Sequence, residues 1–416
     1  MLADYSSMMR QMNKMLKMFY MLDEVEDTRD DDFLVTAAAT RPGKQLFKNG
    51  IWDARAKTIL PFSPDCVFFE AVDCDIDASW LCSDAVLTDN AQNAMTLIES
   101  IIGPGAAAQY FISGSARTLA CEKADKRRLF LMIGDTDSGK GVLNELFNAA
   151  FRHQSGNTDA SFLTRGFCRG TGLRDKEFLV PLKHKTFVFT QGITSDTDLK
   201  GDLIKSIIRG DKQTVRETRG KMQCFSLNQM FVMCVDKQPI IAPCDNEIAD
   251  MLAVFLMPYR YVPHSKLESG EAESHWRVAD PDIKDTVHTE KFRMGMIELL
   301  VKSYVSEEPD RPPSVAADTI HMLGYMQETQ SKIRTDLKQV IEYTGKHTDF
   351  VTEQELFQIR VLHGDYSAYN KISNGLLAMG RSVFKKTRLL PGNDKPNVVY
   401  TGLKMIVPTA KRPRDE

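Results

Sequence analysis

No Cys-x-x-Cys pair and no closely spaced histidine pair occurs in this sequence, so neither a zinc site nor a disulfide framework is written into it. Its eight cysteines, Cys66, Cys74, Cys82, Cys121, Cys168, Cys224, Cys234 and Cys244, are scattered and read as reduced structural thiols. No run approaches the roughly twenty apolar residues of a membrane span, and the N-terminus lacks the charged, apolar, small order of a signal peptide. A soluble intracellular protein with no membrane partner is expected. A net charge of -3, from 53 basic and 56 acidic residues, gives no global attraction to polyanions, so any such site must be a local patch. What is present is ordinary globular material: 416 residues, 43% hydrophobic and 26% charged, enough for two or three domains.

Residues 8 to 22 carry Met8, Met12, Met15, Phe19 and Leu22 near helical spacing, followed by an acidic run to Asp32. Short strands with turns are expected from Gln45 to Phe69, then a helix-rich stretch from Ala91 to about Ala120. Between Arg127 and Pro263, strand-like runs (128–133, 186–190, 229–235) alternate with helical patterns (142–151, 199–208), which argues an α/β unit with a largely parallel sheet. A polar stretch, 264–285, reads as an exposed connection. Helical patterns follow at 289–305 and 317–343, broken by a turn at 308–313. Thr352 to Glu355 has capping-box spacing, and Val383 to Ile406 reads as two strands across Pro391–Asp394. Helices with a small β-wing suit a winged-helix module.

The strongest chemical signal is Gly134-Asp135-Thr136-Asp137-Ser138-Gly139-Lys140-Gly141, set between the apolar run Leu129–Ile133 and a helical pattern. Glycines let the backbone wrap so that amides face phosphate oxygens, the following helix offers its positive end, and the lysine reaches the β/γ-phosphates. Such a site binds ATP with Mg²⁺. At the eighth position, however, Gly141 has no hydroxyl for the metal. A carboxylate is also needed at the end of a neighbouring strand, yet Thr186–Thr190 leads into Gln191-Gly192. Gln191 can orient water but not take its proton; Asp196 and Asp198 are the nearby substitutes. No metal ligand is assigned. Further on, Lys205, Arg209, Lys212, Arg216, Arg219 and Lys221 surround a Gly210-Asp211 turn, a pattern for a hairpin against a phosphate backbone.

Taken in order, these parts are similar to superfamily 3 helicases of the poxvirus and phage or plasmid primase-helicase type. Phe47–Asp53 with Leu60–Pro64 resembles the small domain preceding their helicase core. The phosphate loop matches their first motif, Phe189-Thr190-Gln191 lies where the acidic second motif is expected, and Ile208–Asp211 with Arg216 resembles the segment leading to their DNA-engaging hairpin. Phe231–Pro239 looks like the third motif, with Asp236 at its γ-phosphate sensor. Departures fall on chemistry: Gly141 replaces Ser or Thr, Gln191 an acid, Asp236 an Asn, and Met251 stands near the expected arginine finger, for which Arg260 is a displaced candidate. No primase domain is recognisable.

The resemblance implies an α/β fold, an AAA+-like phosphate-loop core at 121–285, an N-terminal accessory domain at 1–120, a helical, winged-helix-like domain at 286–408 and a basic tail at 409–416. It implies an ATP-dependent DNA helicase of viral genome replication, a homo-hexameric ring on single-stranded DNA, with Lys140, Gln191 and Asp236 catalytic and Lys212, Arg216, Arg219 and Lys221 on DNA. A separate primase is an expected partner. Two rivals are a degenerate helicase homologue acting as an assembly subunit, and another phosphate-loop motor for packaging or partition. Lys411-Arg412-Pro413-Arg414 resembles an import signal, leaving the host nucleus and a cytoplasmic viral factory both open.

Overall fold

The structure, a computed structural model, describes residues 41–82, 86–122, 127–159, 163, 173–193, 198–216, 222–242, 245–268, 273–324, 341–344, 346, 348–352, 384–388, 397–401 and 403–405. The Met-rich helical pattern at 8–22, the capping-box residues after Thr352 and the basic tail lie outside them. Among the described residues no helix is long and apolar enough to cross a membrane.

The chain enters as a three-stranded antiparallel sheet, β1 (Lys44–Phe47), β2 (Gly50–Asp53) and β3 (Thr58–Leu60), turned at Lys48-Asn49 as expected. The helix-rich stretch then divides into α1 (Asp89–Ile102) and α2 (Ala106–Leu119). Gly103-Pro104-Gly105 breaks it: both glycines hold positive φ, +104° and +89°, and proline cannot continue a helix.

The centre is a five-stranded parallel sheet. In chain order its strands are β4 (Leu129–Ile133), β5 (Ser155–Asp159), β6 (Phe187–Ile193), β10 (Met230–Val235) and β12 (Leu252–Leu256); in space they run β12-β4-β10-β6-β5. α3 (Lys140–Phe151) connects β4 to the far edge strand. Between β6 and β10 lie α4 (Gly201–Arg209), the hairpin of β8 (Gln213–Arg216) and β9 (Met222–Phe225), and β7 (Asp198–Lys200), which pairs with β11 (Ile240–Ala242).

Both faces of this sheet are covered, which is why β4, β10 and β12 read as unbroken apolar runs rather than alternating ones. Phe130, Met132, Val232, Cys234, Ala253 and Phe255 enter one core cluster, whereas Leu129, Leu131, Ile133, Phe231, Met233, Val235, Leu252 and Val254 enter the other. The first face packs rings from α2 and α3: Phe147 meets Phe187 edge-on at 4.9 Å between centroids, and Phe111 meets Phe130 at 5.8 Å. Two strands of this central sheet escaped the sequence reading. β12 is a five-residue run directly behind a helix, α5 (Asn246–Met251), and β5, Ser-Gly-Asn-Thr-Asp, is polar because it lies on an edge.

The cluster holding Phe147 and Phe255 also takes in Phe47 and Trp52 of the first sheet and Met296, Ile297 and Leu300 of α6 (Glu290–Lys302). α6 crosses the start of α1 so closely that a Cβ on Gly295 would lie 2.8 Å from the Ala91 amide nitrogen and closer still to the Asn90 carbonyl. Backbone cannot yield as a side-chain tip can. Gly295→Ala is therefore expected to destabilise by about 1–3 kcal/mol in a denaturant titration; equal stability would show that the helices are not in this contact.

Beyond α6, residues 313–324 are helical, but Ile341–Tyr343, expected to end a long helix, is instead a strand paired with Leu403–Met405. Phe384–Arg388 and Asn397–Thr401 pair antiparallel, as expected, and Phe350–Thr352 joins them. The polar connection at 264–285 likewise contains a strand, β14 (Trp276–Val278), parallel to β13 (Arg260–Val262).

Candidate nucleotide site

β4 is flanked by β10 and β12, both later in the chain, and its last residue, Ile133, pairs with Val235 and Leu256 at the ends of those strands. The loop Gly134–Gly139 turns in that position. Gly139 is left-handed (φ +92°), and a Cβ on it would lie 2.7 Å from Ile101. A Cβ on Gly134 would meet Met257 Cγ at 2.8 Å and Ser138 Oγ at 2.9 Å. Asp137 is also left-handed (φ +68°), and its carbonyl accepts the Tyr261 amide at 2.8 Å. The Gly134 amide donates to Val235 O at 3.2 Å, and the Met257 amide to Ile133 O at 2.7 Å. The ends of β10 and β12 thus hold the loop in shape. Met257 and Tyr261 carried no sequence signal for this, lying over a hundred residues downstream.

Lys140 fills the wrapped loop. Its Nζ donates to Gly134 O (2.6 Å), Asp135 O (2.8 Å) and Ser138 Oγ (2.9 Å), and pairs with Asp236 Oδ1 at 3.2 Å. Ser138 is buried, whereas Asp135, Thr136 and Asp137 are exposed. The first bond of α3 runs from Leu143 N–H to Gly139 O, so the amides of Lys140, Gly141 and Val142 precede the helical ladder. Amides at a helix start together with a lysine ammonium make a place for an oxyanion. Gly141 is exposed, and an added Cβ there meets nothing within 4 Å. Gly141→Ala should raise unfolding free energy by about 0.5–1 kcal/mol in urea, because alanine loses less backbone freedom; a loss would contradict ordinary helical backbone at that position.

Gln191 does not end its strand. β6 does not stop at Thr190 but continues to Ile193: Thr190 opposes Met233 and Ile193 opposes Val235, so Gln191 and Gly192 together face Cys234 as a bulge. β6 is also two strands from β4, with β10 between them. Asp236, the first residue past β10, is the adjacent one. Asp198 starts β7, and Asp196 falls outside the described residues. Burial pushes the Cys234 thiol up to about 12, so it remains a neutral packing group behind Lys140.

The basic run divides into two parts. Lys205 and Arg209, on α4, ion-pair with Asp245 and Glu247 at the start of α5, and Lys205 holds the Asp245 carboxyl below its ordinary value. Gly210 (φ +72°) then reverses the chain into the β8–β9 hairpin, whose register pairs Gln213 with Phe225 and Arg216 with Met222. Lys212 and Arg216 are exposed. Arg219 and Lys221 lie outside the described residues. Met251 ends α5 against the second core cluster, and Arg260 is partly buried with its guanidinium over the Trp276 ring at 5.6 Å. A cavity of about 310 Å³ lined by Trp52, Trp80 and Tyr304 includes no residue of the phosphate loop.

No family model and no curated protein matches the chain. Among solved structures, it is similar to an apo form of the C-terminal region of NrS-1, with 11% identity, TM-score 0.38 and 76% of each chain covered. It is also similar to JCV helicase bound to a substituted acetamide, with 12% identity, TM-score 0.32, and 62% of this chain and 66% of that one covered.

Proposed function

We propose that the chain binds ATP with Mg²⁺ at Gly134–Gly141 and uses it to move along single-stranded DNA, as a ring-forming, homo-hexameric helicase of viral genome replication. The observation that carries this reading is Lys140, enclosed by the loop at the carboxyl edge of a parallel sheet and surrounded by oxygens in place of phosphate. On binding, the ammonium passes to the β/γ-phosphates, the amides from Thr136 to Gly141 take the remaining oxygens, and Asp236 borders the γ-phosphate side. Lys212 and Arg216, with Arg219 and Lys221 on the same hairpin sequence, engage the DNA backbone, and a separate primase supplies primers. The place of action is the host nucleus or a cytoplasmic factory.

Gly141 and Gln191 favour a second reading, a nucleotide-binding subunit without turnover, since the first has no hydroxyl for the metal and the second no carboxylate to take a proton from water. Phosphate release with single-stranded DNA, run beside unwinding of a forked duplex, separates the two. Turnover with unwinding supports the helicase; ATP binding without turnover supports the assembly subunit; turnover without unwinding points to a packaging or partition motor.

Lys212→Ala/Arg216→Ala is expected to weaken single-stranded DNA binding and to reduce the slope of log affinity against log salt by about 1.4, near 0.7 for each phosphate contact. Fluorescence anisotropy across a salt series measures this. An unchanged slope would remove β8 from the DNA path.

A further inference from the structure

We propose that Asp236 holds the metal ion of the metal–ATP complex, taking the place of an acid on β6; this rests on the nucleotide reading of the loop given above. A metal that bridges β- and γ-phosphates must sit within a few ångströms of the lysine that binds the same phosphates. Asp236 Oδ1 is 3.2 Å from Lys140 Nζ. Gly141 has no side-chain oxygen, and Gln191 is an amide with no carboxylate to share with a cation. Asp236 directly follows β10, the strand immediately beside the loop strand.

Its surroundings suit the task. The side chain is 60% exposed, so an ion can keep most of its water while sharing one carboxylate, as Mg²⁺ prefers when phosphates supply the other ligands. Among the described residues no three carboxylate, thiol or imidazole groups converge as a ready metal cage, so the nucleotide must complete the coordination. Charge leads to the same requirement. Asp135, Asp137 and Asp236 oppose a triphosphate, while Lys140 is neutralised by Asp236; a divalent cation between carboxylate and phosphates turns that repulsion into attraction and frees the lysine.

The test is calorimetric binding of ATP in Mg²⁺ and in EDTA to the full chain and to Asp236→Asn. Wild type is expected to lose about tenfold in affinity when Mg²⁺ is removed, about 1.4 kcal/mol. Asp236→Asn is expected to bind metal-free ATP at least as well as wild type and to gain about twofold or less from Mg²⁺. Melting curves of the two proteins should coincide, the carboxylate being largely exposed. Asp236→Asn retaining the wild-type Mg²⁺ enhancement would overturn the assignment while leaving the nucleotide site standing. No ATP binding by wild type in either buffer would overturn both.

Discussion

Lys140→Ala is expected to weaken ATP binding by about a hundredfold, near 2.7 kcal/mol, with little change in the melting curve. The size follows from one charge-assisted contact to phosphate, worth about 1.5–3 kcal/mol, made in a loop already shaped to receive it. Gly139, Asp137 and the clamp from Tyr261 and Met257 set that shape without help from the lysine. The free protein nevertheless uses Lys140 to satisfy the Gly134 and Asp135 carbonyls, so Lys140→Met, which keeps the aliphatic stem, serves as the companion variant. Calorimetry on both should give the same loss. Unchanged affinity in either would separate Lys140 from the nucleotide.

Glu298→Ala is expected to cost about 3 kcal/mol or more of folding stability, because it breaks a buried ion pair and leaves its partners unmatched. The Glu298 side chain, 3% exposed, accepts from the Thr88 amide at 3.0 Å and from the Thr88 hydroxyl, and pairs with Lys302 at 2.9 Å. Thr88 is itself the cap of α1, accepting from the Ala91 amide, so one carboxylate ties α6 to the positive end of α1. Burial pushes this carboxyl up, but the hydrogen bonds from Thr88 and Lys302 outweigh it and leave it below its ordinary value of 4.5. A depressed folded value means that the stabilisation is complete above the unfolded value and is lost as pH falls through the folded one. Urea titrations below about pH 4.5 should therefore show wild type losing stability toward the level of Glu298→Ala, with the gap between them widest near neutrality. A constant gap at all pH values would contradict the charged clamp.

Local patterns were legible in the sequence where the physics is local. Leu129–Ile133, the glycines of the phosphate loop and the apolar positions of α3 are contiguous, so the strand, turn and helix follow from sterics and burial alone. The Lys48-Asn49 turn and the pairing of Phe384–Arg388 with Asn397–Thr401 are of the same kind. What escaped was set by distant partners. Glu298 meets Thr88 across 210 residues, and Tyr261 braces Asp137 from a strand whose parallel mate lies in a stretch that composition marks as exposed linker. Lys205 and Arg209 looked equivalent to Lys212 and Arg216 in a linear charge run; Asp245 and Glu247, forty and thirty-eight residues away, occupy the first two. The end of β6 was misplaced because Gly192 reads as a strand terminator, whereas the sheet continues through it as a bulge.

The central claim is that the wrapped loop from Gly134 to Gly141 receives a polyphosphate. A structure determined with Mg²⁺, a non-hydrolysable ATP analogue and a DNA strand tests it most directly. Triphosphate density should lie against the amides of residues 136–141, with Lys140 Nζ turned from the Gly134 and Asp135 carbonyls onto phosphate oxygens. A loop unchanged from its nucleotide-free form at saturating analogue, with Lys140 still bonded to those carbonyls, would contradict it.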